Sequence, residues 1–161
     1  MKLISSLLLR IRSGYWNLIY SGYRKRYQVD STFRFNGAAI SFYGPGNIIC
    51  GRDSYVGELS TFQAADHCRI VVGIGCAISH NVRVYTSSWD PDSDFSLPMP
   101  EIKDGNVEFA DYCWVGANVF INPGIRIGLN SVIGANSVVT RNIPDNEIWG
   151  GVPARLIRKK N

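Results

Sequence analysis

Two histidines, His67 and His80, are the side chains of this 161-residue sequence best suited to accept a proton near neutral pH. An imidazole with a pKa of about 6.5 can serve as a general base at pH 7. Trp89 and Asp90 lie in an acidic stretch, where an indole face and a carboxylate could stack on a sugar and hydrogen-bond to it. These residue types suit proton transfer and the binding of a polar ligand, provided that the fold brings them together.

The stretch from Phe109 to Pro144 repeats every six residues and predicts the element that positions these side chains. Its hexads begin at Phe109, Val115, Ile121, Ile127, Ile133 and Val139. The residues four positions later are small or apolar: Cys113, Val119, Ile125, Ser131, Ser137 and Ile143. An α-helix cannot keep this period on one face, whereas a coil of short strands can. The sequence therefore predicts an all-β solenoid whose hexads each begin with an inward residue, with Gly and Asn at the corners.

Earlier hexads extend the same register toward the N-terminus, at Cys50, Val56, Phe62, Val72, Ile78 and Val84. His80 comes two residues after an inward position, so we expect it at a corner, facing outward. The spacing between the third and fourth of these positions is not a multiple of six, and a corner or short loop near Asp66-His67 is expected to absorb the difference. After the last of them the pattern lapses, and turn-forming residues predict an excursion over residues 87–106.

The repeats resemble those of the hexapeptide-repeat acyltransferases, from about Val72 to Lys160. The resemblance implies a left-handed parallel β-helix; the handedness comes from the resemblance alone, because crossover connections are ordinarily right-handed. The sequence is similar to bacterial sugar and polysaccharide O-acetyltransferases. The resemblance further implies acetyl-CoA as acyl donor, a homotrimer, and a sugar, nucleotide-sugar or glycan acceptor.

The catalytic base departs from the usual pattern of these sugar O-acetyltransferases. Those enzymes usually carry their base in a segment similar to Tyr-Thr-x-x-His-Asp. The matching segment of this sequence is Tyr85-Thr86-Ser87-Ser88-Trp89-Asp90. Indole has no basic nitrogen at neutral pH, so Trp89 cannot replace the histidine, and Trp89 and Asp90 are assigned to acceptor binding. The segment Ile78–Val84 resembles a second pattern, Ile-x-His-(Asp/Glu)-Cys-x-Val, found in lipid A acyltransferases and amino-sugar N-acetyltransferases. It makes His80 the predicted base.

Two alternatives to a catalytic His80 stay open. Asn81 stands where those families often have a carboxylate, so an acid that orients His80 must come from elsewhere. His80 could instead be a surface or interface histidine. His67 is the weaker candidate for the base.

Coenzyme contacts follow from the resemblance residue by residue. Small residues would let a pantetheine arm lie along the coil, and guanidinium groups would hold phosphate. The matched positions are Trp114, Gly116, Ala117, Ala135, Thr140, Arg141, Arg155 and Arg158. No metal is expected, because the zinc enzymes that share this fold need three histidines at each site and this sequence has two.

The net charge of +4 is unevenly distributed along the chain. Residues 1–29, the predicted helical segment, carry six basic and no acidic side chains, and residues 155–161 form a tail with four basic ones. Residues 30–154, the predicted β-helix domain, hold seven basic and thirteen acidic residues. This acidic body argues against a nucleic-acid partner.

Residues 2–20 place apolar side chains at helical spacing, and Gly14 and Gly22 are expected to break the helix. One interpretation is an amphipathic helix that covers the first coil of the solenoid. The other is a helix within residues 1–26 that lies on an anionic membrane surface. With four cysteines interpreted as packed free thiols, and no signal peptide expected, the sequence predicts a cytoplasmic location, including the inner face of the membrane.

Together these patterns predict an acetyl-CoA-dependent acetyltransferase that modifies a sugar hydroxyl in bacterial polysaccharide or glycolipid biosynthesis. Two alternatives remain. The His80 pattern is compatible with N-acetylation of an amino sugar. The loss of histidine at Trp89 is compatible with a trimeric scaffold that binds coenzyme A without turnover.

Overall fold

A computed structural model describes residues 2–161, with side chains from Ile4 onward. One α-helix precedes a series of short strands. The elements are α1 (Lys2–Arg26), β1 (Gln28–Val29), β2 (Arg34–Asn36), β3 (Ser41–Tyr43), β4 (Asn47–Cys50), β5 (Tyr55–Gly57), β6 (Thr61–Gln63), β7 (Arg69–Val72), β8 (Ala77–Ile78), β9 (Arg83–Tyr85), β10 (Ser87–Trp89), β11 (Ile102–Asp104), β12 (Val107–Phe109), β13 (Trp114–Val115), β14 (Phe120–Ile121), β15 (Arg126–Ile127), β16 (Val132–Ile133), β17 (Val138–Val139), β18 (Glu147–Gly151) and β19 (Ala154–Lys159).

The strands form a β-solenoid of about five turns with three faces. Face 1 holds β1, β4, β7, β12 and β15, face 2 holds β2, β5, β8, β13, β16 and β18, and face 3 holds β3, β6, β9, β14 and β17. Neighbouring strands within each face are parallel, so each coil stacks on the previous one in register. The predicted solenoid is confirmed.

The core is the inside of this coil, and the hexad register defines it. Every hexad-initial residue from Phe109 to Val139 is buried, as is every residue four positions later. Phe62 stacks between Phe42 and Phe109 along the axis, with ring centroids 4.9 and 6.5 Å away. All four cysteines are buried and free, as predicted, and burial raises the pKa of the Cys50 thiol, so it stays protonated.

On three successive coils, the corner between faces 2 and 3 is formed by an asparagine in the left-handed backbone region. Asn81, Asn118 and Asn136 have φ values of 54°, 59° and 60°. Their side-chain amides form a ladder, in which Asn81 Nδ2 donates to Asn118 Oδ1 at 2.9 Å and Asn118 Nδ2 donates to Asn136 Oδ1 at 3.0 Å. Asparagine tolerates this conformation better than most residues, and stacking lets each amide satisfy the next.

Two irregularities fall where the sequence predicted them. The chain turns at Asp66-His67, where His67 has a φ of 57°. Within residues 87–106, β10 pairs with β11 in antiparallel register, so the predicted excursion is a hairpin that leaves the coil between face 3 and face 1.

The expectation that Gly14 and Gly22 break the N-terminal helix is wrong. Helix α1 runs unbroken from Lys2 to Arg26. Neither glycine contacts another element, and an isolated glycine weakens a helix by about 1 kcal/mol without removing a backbone donor. Most of the basic C-terminal tail lies on β19, which pairs antiparallel with β18.

The second half of α1 covers the open first coil. The Tyr20 ring stacks on Phe35 with centroids 4.6 Å apart, and its hydroxyl donates to the Gly37 carbonyl at 2.9 Å. Tyr23 stacks on Phe42 at 5.4 Å. These contacts confirm the capping interpretation for this half of the helix. The side chains from Ile4 to Tyr15 are exposed.

The corner ladder generates a stability prediction at Asn118. Asn118→Ala should lower the free energy of unfolding by about 1–2 kcal/mol, because alanine is strained in the left-handed region and cannot join the ladder. Asn118→Gly keeps the backbone conformation and should cost less than alanine. Chemical denaturation of the two variants beside the native protein measures this difference. Equal stability of the alanine variant and the native protein would contradict the role assigned to the ladder.

Candidate active site

His80 lies at the corner between faces 2 and 3, exposed to solvent, as the hexad register predicted. The residues at the equivalent position of neighbouring coils are Glu58, Ala117 and Ala135, which with His80 we call the corner column. Backbone bonds connect the coils here: Asn118 N donates to the His80 carbonyl at 3.0 Å, and Asn136 N donates to the Ala117 carbonyl at 2.9 Å. Three of the predicted site residues therefore stack directly on one another.

The imidazole of His80 makes no hydrogen bond within the described chain. Its neighbour Asn81 is engaged elsewhere, because its Oδ1 accepts from Arg83 Nη2 at 3.0 Å and its amide group donates to Asn118. Asn81 therefore does not orient the histidine. The ring is free to meet a substrate or a neighbouring molecule.

Glu58 is a carboxylate that the sequence reasoning missed. It precedes His80 by one coil in the corner column, since Val56 and Ile78 are paired in register. Its Oε2 lies 3.1 Å from the position that a Cβ on Gly37 would occupy, so the carboxylate leans toward the first coil. The sequence contained the information needed to find Glu58, because Glu58 and His80 each come two positions after an inward hexad residue.

A strip of small residues leads away from His80 along the corner. A Cβ added to Gly116 would come within 2.5 Å of the Ala135 backbone nitrogen, so this position must be glycine for the coils to stack. Gly134 and Gly150 continue the strip on the following coils. Trp114 stands beside it on face 2 with 55% of its surface exposed. The result is a narrow, flat surface with one aromatic wall.

Arg155 and Arg158 lie at the far end of this strip. On β19, Arg155 pairs with Gly150 and Arg158 with Ile148. Both side chains are exposed and neither forms an ion pair within the described residues. Neighbouring strands are about 4.8 Å apart, so three coil steps separate His80 from β18 by about 14 Å. The geometry suits a long flexible ligand with phosphate at one end.

The predicted coenzyme residues Thr140 and Arg141 lie elsewhere. They follow β17, at the corner between face 3 and face 1, and both are exposed. The width of face 3 separates them from Ala135 within this chain. The structure therefore brings together six of the eight predicted coenzyme residues, all but Thr140 and Arg141, on face 2 and its corner.

Trp89 and Asp90 lie on the hairpin, across face 3 from His80. Trp89 is 54% exposed and meets Phe95 edge-to-face at 6.4 Å. The Asp90 carboxylate accepts the Asp92 N–H at 3.0 Å, which shapes the turn. A groove of about 370 Å³ runs along face 3 at the base of the hairpin, lined by Tyr43, Gln63, Tyr85, Ser87, Ser88, Trp89 and Ile102.

The face 3 side of this groove was not identified from the sequence. Tyr43, Gln63 and Tyr85 occupy one column, each one residue after an inward side chain. The hexad register contained this signal. Whether these three residues line a groove depends on the direction of the hairpin, which the sequence did not determine. His67, at the corner opposite face 2, pairs with Asp66 at 3.1 Å and lies outside both the corner column and the groove.

Comparisons with known proteins agree with this architecture. The model for the bacterial transferase hexapeptide (six repeats) matches residues 106–141. Galactoside O-acetyltransferase from Escherichia coli strain K12 is 36% identical over 119 residues, covering 74% of this chain and 57% of that protein. This chain spans little more than half the length of the first curated relatives it matches.

Two solved structures extend the comparison. A maltose O-acetyltransferase from Clostridium difficile 630 is 32% identical, with a TM-score of 0.55, and the match covers 81% of this chain and 71% of that one. The polySia specific acetyltransferase NeuO is 27% identical with a TM-score of 0.64, covering 80% of this chain and 61% of that one. Because its hexads stack in register and it is similar to these relatives, the chain belongs to the hexapeptide-repeat acetyltransferase family.

Proposed function

We propose that this protein transfers an acetyl group from acetyl-CoA to a sugar hydroxyl, in bacterial polysaccharide or glycolipid biosynthesis. The observation that carries the proposal is the stacking of His80, Ala117 and Ala135 in one column, with arginines at the far end of the small-residue strip. This arrangement supplies a base at one end and a phosphate-binding end on β19, four strand steps or about 19 Å away. The galactoside and maltose acetyltransferases to which the chain is similar support a sugar as acceptor.

The coenzyme lies with its pantetheine arm on the strip of Gly116, Gly134 and Gly150. Trp114 flanks the arm on face 2, where its indole is exposed beside the strip. Arg155 and Arg158 bind the phosphates at the other end, because guanidinium forks match phosphate oxygens. The thioester is then placed near His80.

In the reaction, His80 takes the proton of the acceptor hydroxyl as the oxygen attacks the thioester carbonyl. The carbonyl π electrons move onto oxygen, giving a tetrahedral oxyanion that needs a hydrogen-bond donor. When the carbonyl re-forms, the C–S bond breaks, the sulfur leaves as the thiolate, and the protonated imidazole supplies its proton. Glu58, at the preceding position of the column, is the carboxylate best placed to turn toward His80 and orient it.

The acceptor occupies the face 3 groove. Trp89 offers an exposed indole face on which a sugar ring can stack. Tyr43, Gln63 and Tyr85 offer hydroxyl and amide groups for hydrogen bonds along one column. This assignment gives Trp89 a binding role in place of the histidine usual at its position.

Assembly as a homotrimer would complete the site. Within one chain, His80 and Trp89 lie at opposite edges of face 3, and Thr140 and Arg141 lie at the corner away from the strip. A neighbouring subunit packed against the corner column would bring its own Trp89, Thr140 and Arg141 close to His80 and the small-residue strip. Cyclic symmetry repeats such a composite site at every interface.

Two other functions are compatible with the same geometry. An amino-sugar N-acetyltransferase would use the same His80, and the product distinguishes it, because an amide resists mild alkali that cleaves an ester. A scaffold would bind coenzyme A without consuming acetyl-CoA. Mass spectrometry after incubation with acetyl-CoA and a panel of nucleotide sugars and glycan fragments distinguishes all three.

The assignment of the base is tested at His80. His80→Ala should lower the transfer rate by roughly 10²–10⁴-fold, because general-base catalysis contributes that much, while coenzyme binding persists. His67→Ala is the matched control and should remain active. The measurement is thiol release from acetyl-CoA with an acceptor identified in the panel. Full activity of His80→Ala would refute the assignment.

The acceptor groove is tested at Trp89. Trp89→Ala should raise KM for the acceptor by roughly tenfold with a smaller change in kcat, because an aromatic contact of about 1–1.5 kcal/mol is lost and no proton-transfer group is removed. Phe95→Ala is the control for disturbance of the hairpin. A loss confined to kcat would place Trp89 in the chemical step and contradict the binding role.

The coenzyme strip is tested at its arginines. Arg155→Ala and Arg158→Ala should each weaken coenzyme A binding by roughly 10- to 100-fold, since a charge-assisted hydrogen bond is worth about 1.5–3 kcal/mol. The effect should shrink at high salt. Arg52→Ala removes the same charge from an exposed position away from the strip and should leave binding unchanged in calorimetry. Unaltered affinity in both strip variants would remove β19 from the site.

A further inference from the structure

Between Ile4 and Leu18, α1 carries an apolar face that the solenoid leaves uncovered. We call it the free apolar face: Ile4, Leu7, Leu8, Ile11, Tyr15 and Leu18, each between 58% and 71% exposed. At about 100° per residue these six side chains fall within an arc of about 100°. Six large apolar residues on one side of a helix form a continuous surface that is costly to leave in water.

This face is separate from the one that packs on the coil. The packing residues are Trp16, Ile19, Tyr20 and Tyr23, which are buried or half-buried against the first coil. On the helical wheel their centre lies more than about 100° from the centre of the free apolar face. The helix therefore has two apolar faces, and folding covers one of them.

The charge of α1 indicates which kind of partner covers the free apolar face. The helix contains six basic residues and no acidic one. Arg10 and Arg12 are exposed on either side of the free apolar face, and Lys25 is exposed at its C-terminal end. A second copy of the same helix would bring like charges together, whereas an anionic surface complements them.

Two of the C-terminal basic residues are already engaged by the fold. Arg24 Nη1 donates to the Asp30 carbonyl at 2.6 Å, and Arg26 Nη2 donates to the Gly44 carbonyl at 2.7 Å. They anchor the helix to the first coil. Among the side chains of α1 that the structure describes, Arg10, Arg12 and Lys25 are exposed and available to a partner.

We propose that α1 docks the protein onto the surface of an anionic lipid bilayer, with the free apolar face at the acyl boundary. From Ile4 to Leu18 this face is about 21 Å long, which suits a helix lying in the plane of the interface. Among the described residues no helix has the length and apolarity to cross a bilayer. The acidic excess of residues 30–154 turns the body away from the lipid, so α1 makes the contact. The proposal is independent of the transferase activity.

Vesicle co-sedimentation of the full-length chain tests the docking. The native protein should pellet with vesicles of phosphatidylcholine and phosphatidylglycerol and not with phosphatidylcholine alone, and high salt should weaken the binding. Leu7→Glu/Ile11→Glu should reduce the binding by roughly tenfold or more, because it places charge in the acyl boundary. Ser6→Glu/Ser13→Glu, on the opposite side of the same helix, changes the net charge equally and should retain more binding.

The basic flank is tested separately by Arg10→Gln/Arg12→Gln, which should weaken binding to anionic vesicles by roughly tenfold or more. Circular dichroism checks that each variant is folded, and light scattering with and without vesicles reports the oligomeric state. Three outcomes would overturn the proposal: no sedimentation of the native protein, equal losses in the two glutamate pairs, or a change of oligomeric mass in Leu7→Glu/Ile11→Glu without vesicle binding. The last would make the free apolar face an interface between copies of the chain.

Discussion

In-register stacking of one coil on the next is the constraint on which this structure depends. Strand residues pair in parallel register with their equivalents on the adjacent coils, so equivalent side chains lie above one another at a spacing of about 4.8 Å. The inward positions form the core, and the corner positions must adopt a left-handed backbone. Asn81, Asn118 and Asn136 meet that requirement and also pair with one another.

The same stacking builds the candidate site without any dedicated pocket. His80, Ala117 and Ala135 are close because they share a register position, although long segments of chain separate them in sequence. Gly116 is glycine because the next coil leaves no room for a Cβ. A surface made this way is shallow and open, which explains why a proposed partner subunit and a hairpin are needed to enclose an acceptor.

The ends of a solenoid are its weak points, because the first and last coils leave strand edges and apolar side chains uncovered. At the N-terminal end, Tyr20 and Tyr23 of α1 stack on Phe35 and Phe42 and close the coil. At the other end, β19 folds back on β18. Each closure also positions an element of a proposed site: β19 carries the two arginines of the strip, and α1 presents its free apolar face.

The sequence by itself determined the solenoid, its inward residues, the corner position of His80 and the excursion near residue 90, because a strict six-residue period allows one register. It did not determine where the hairpin goes, that α1 continues through Gly14 and Gly22, or that Arg24 and Arg26 anchor the helix. These features depend on contacts between distant segments, which a local pattern does not encode. The place of Glu58 one coil before His80 was implicit in the hexad register. The tertiary structure decided that Thr140 and Arg141 lie across a face from Ala135, because that separation follows from how the coils wrap around three faces.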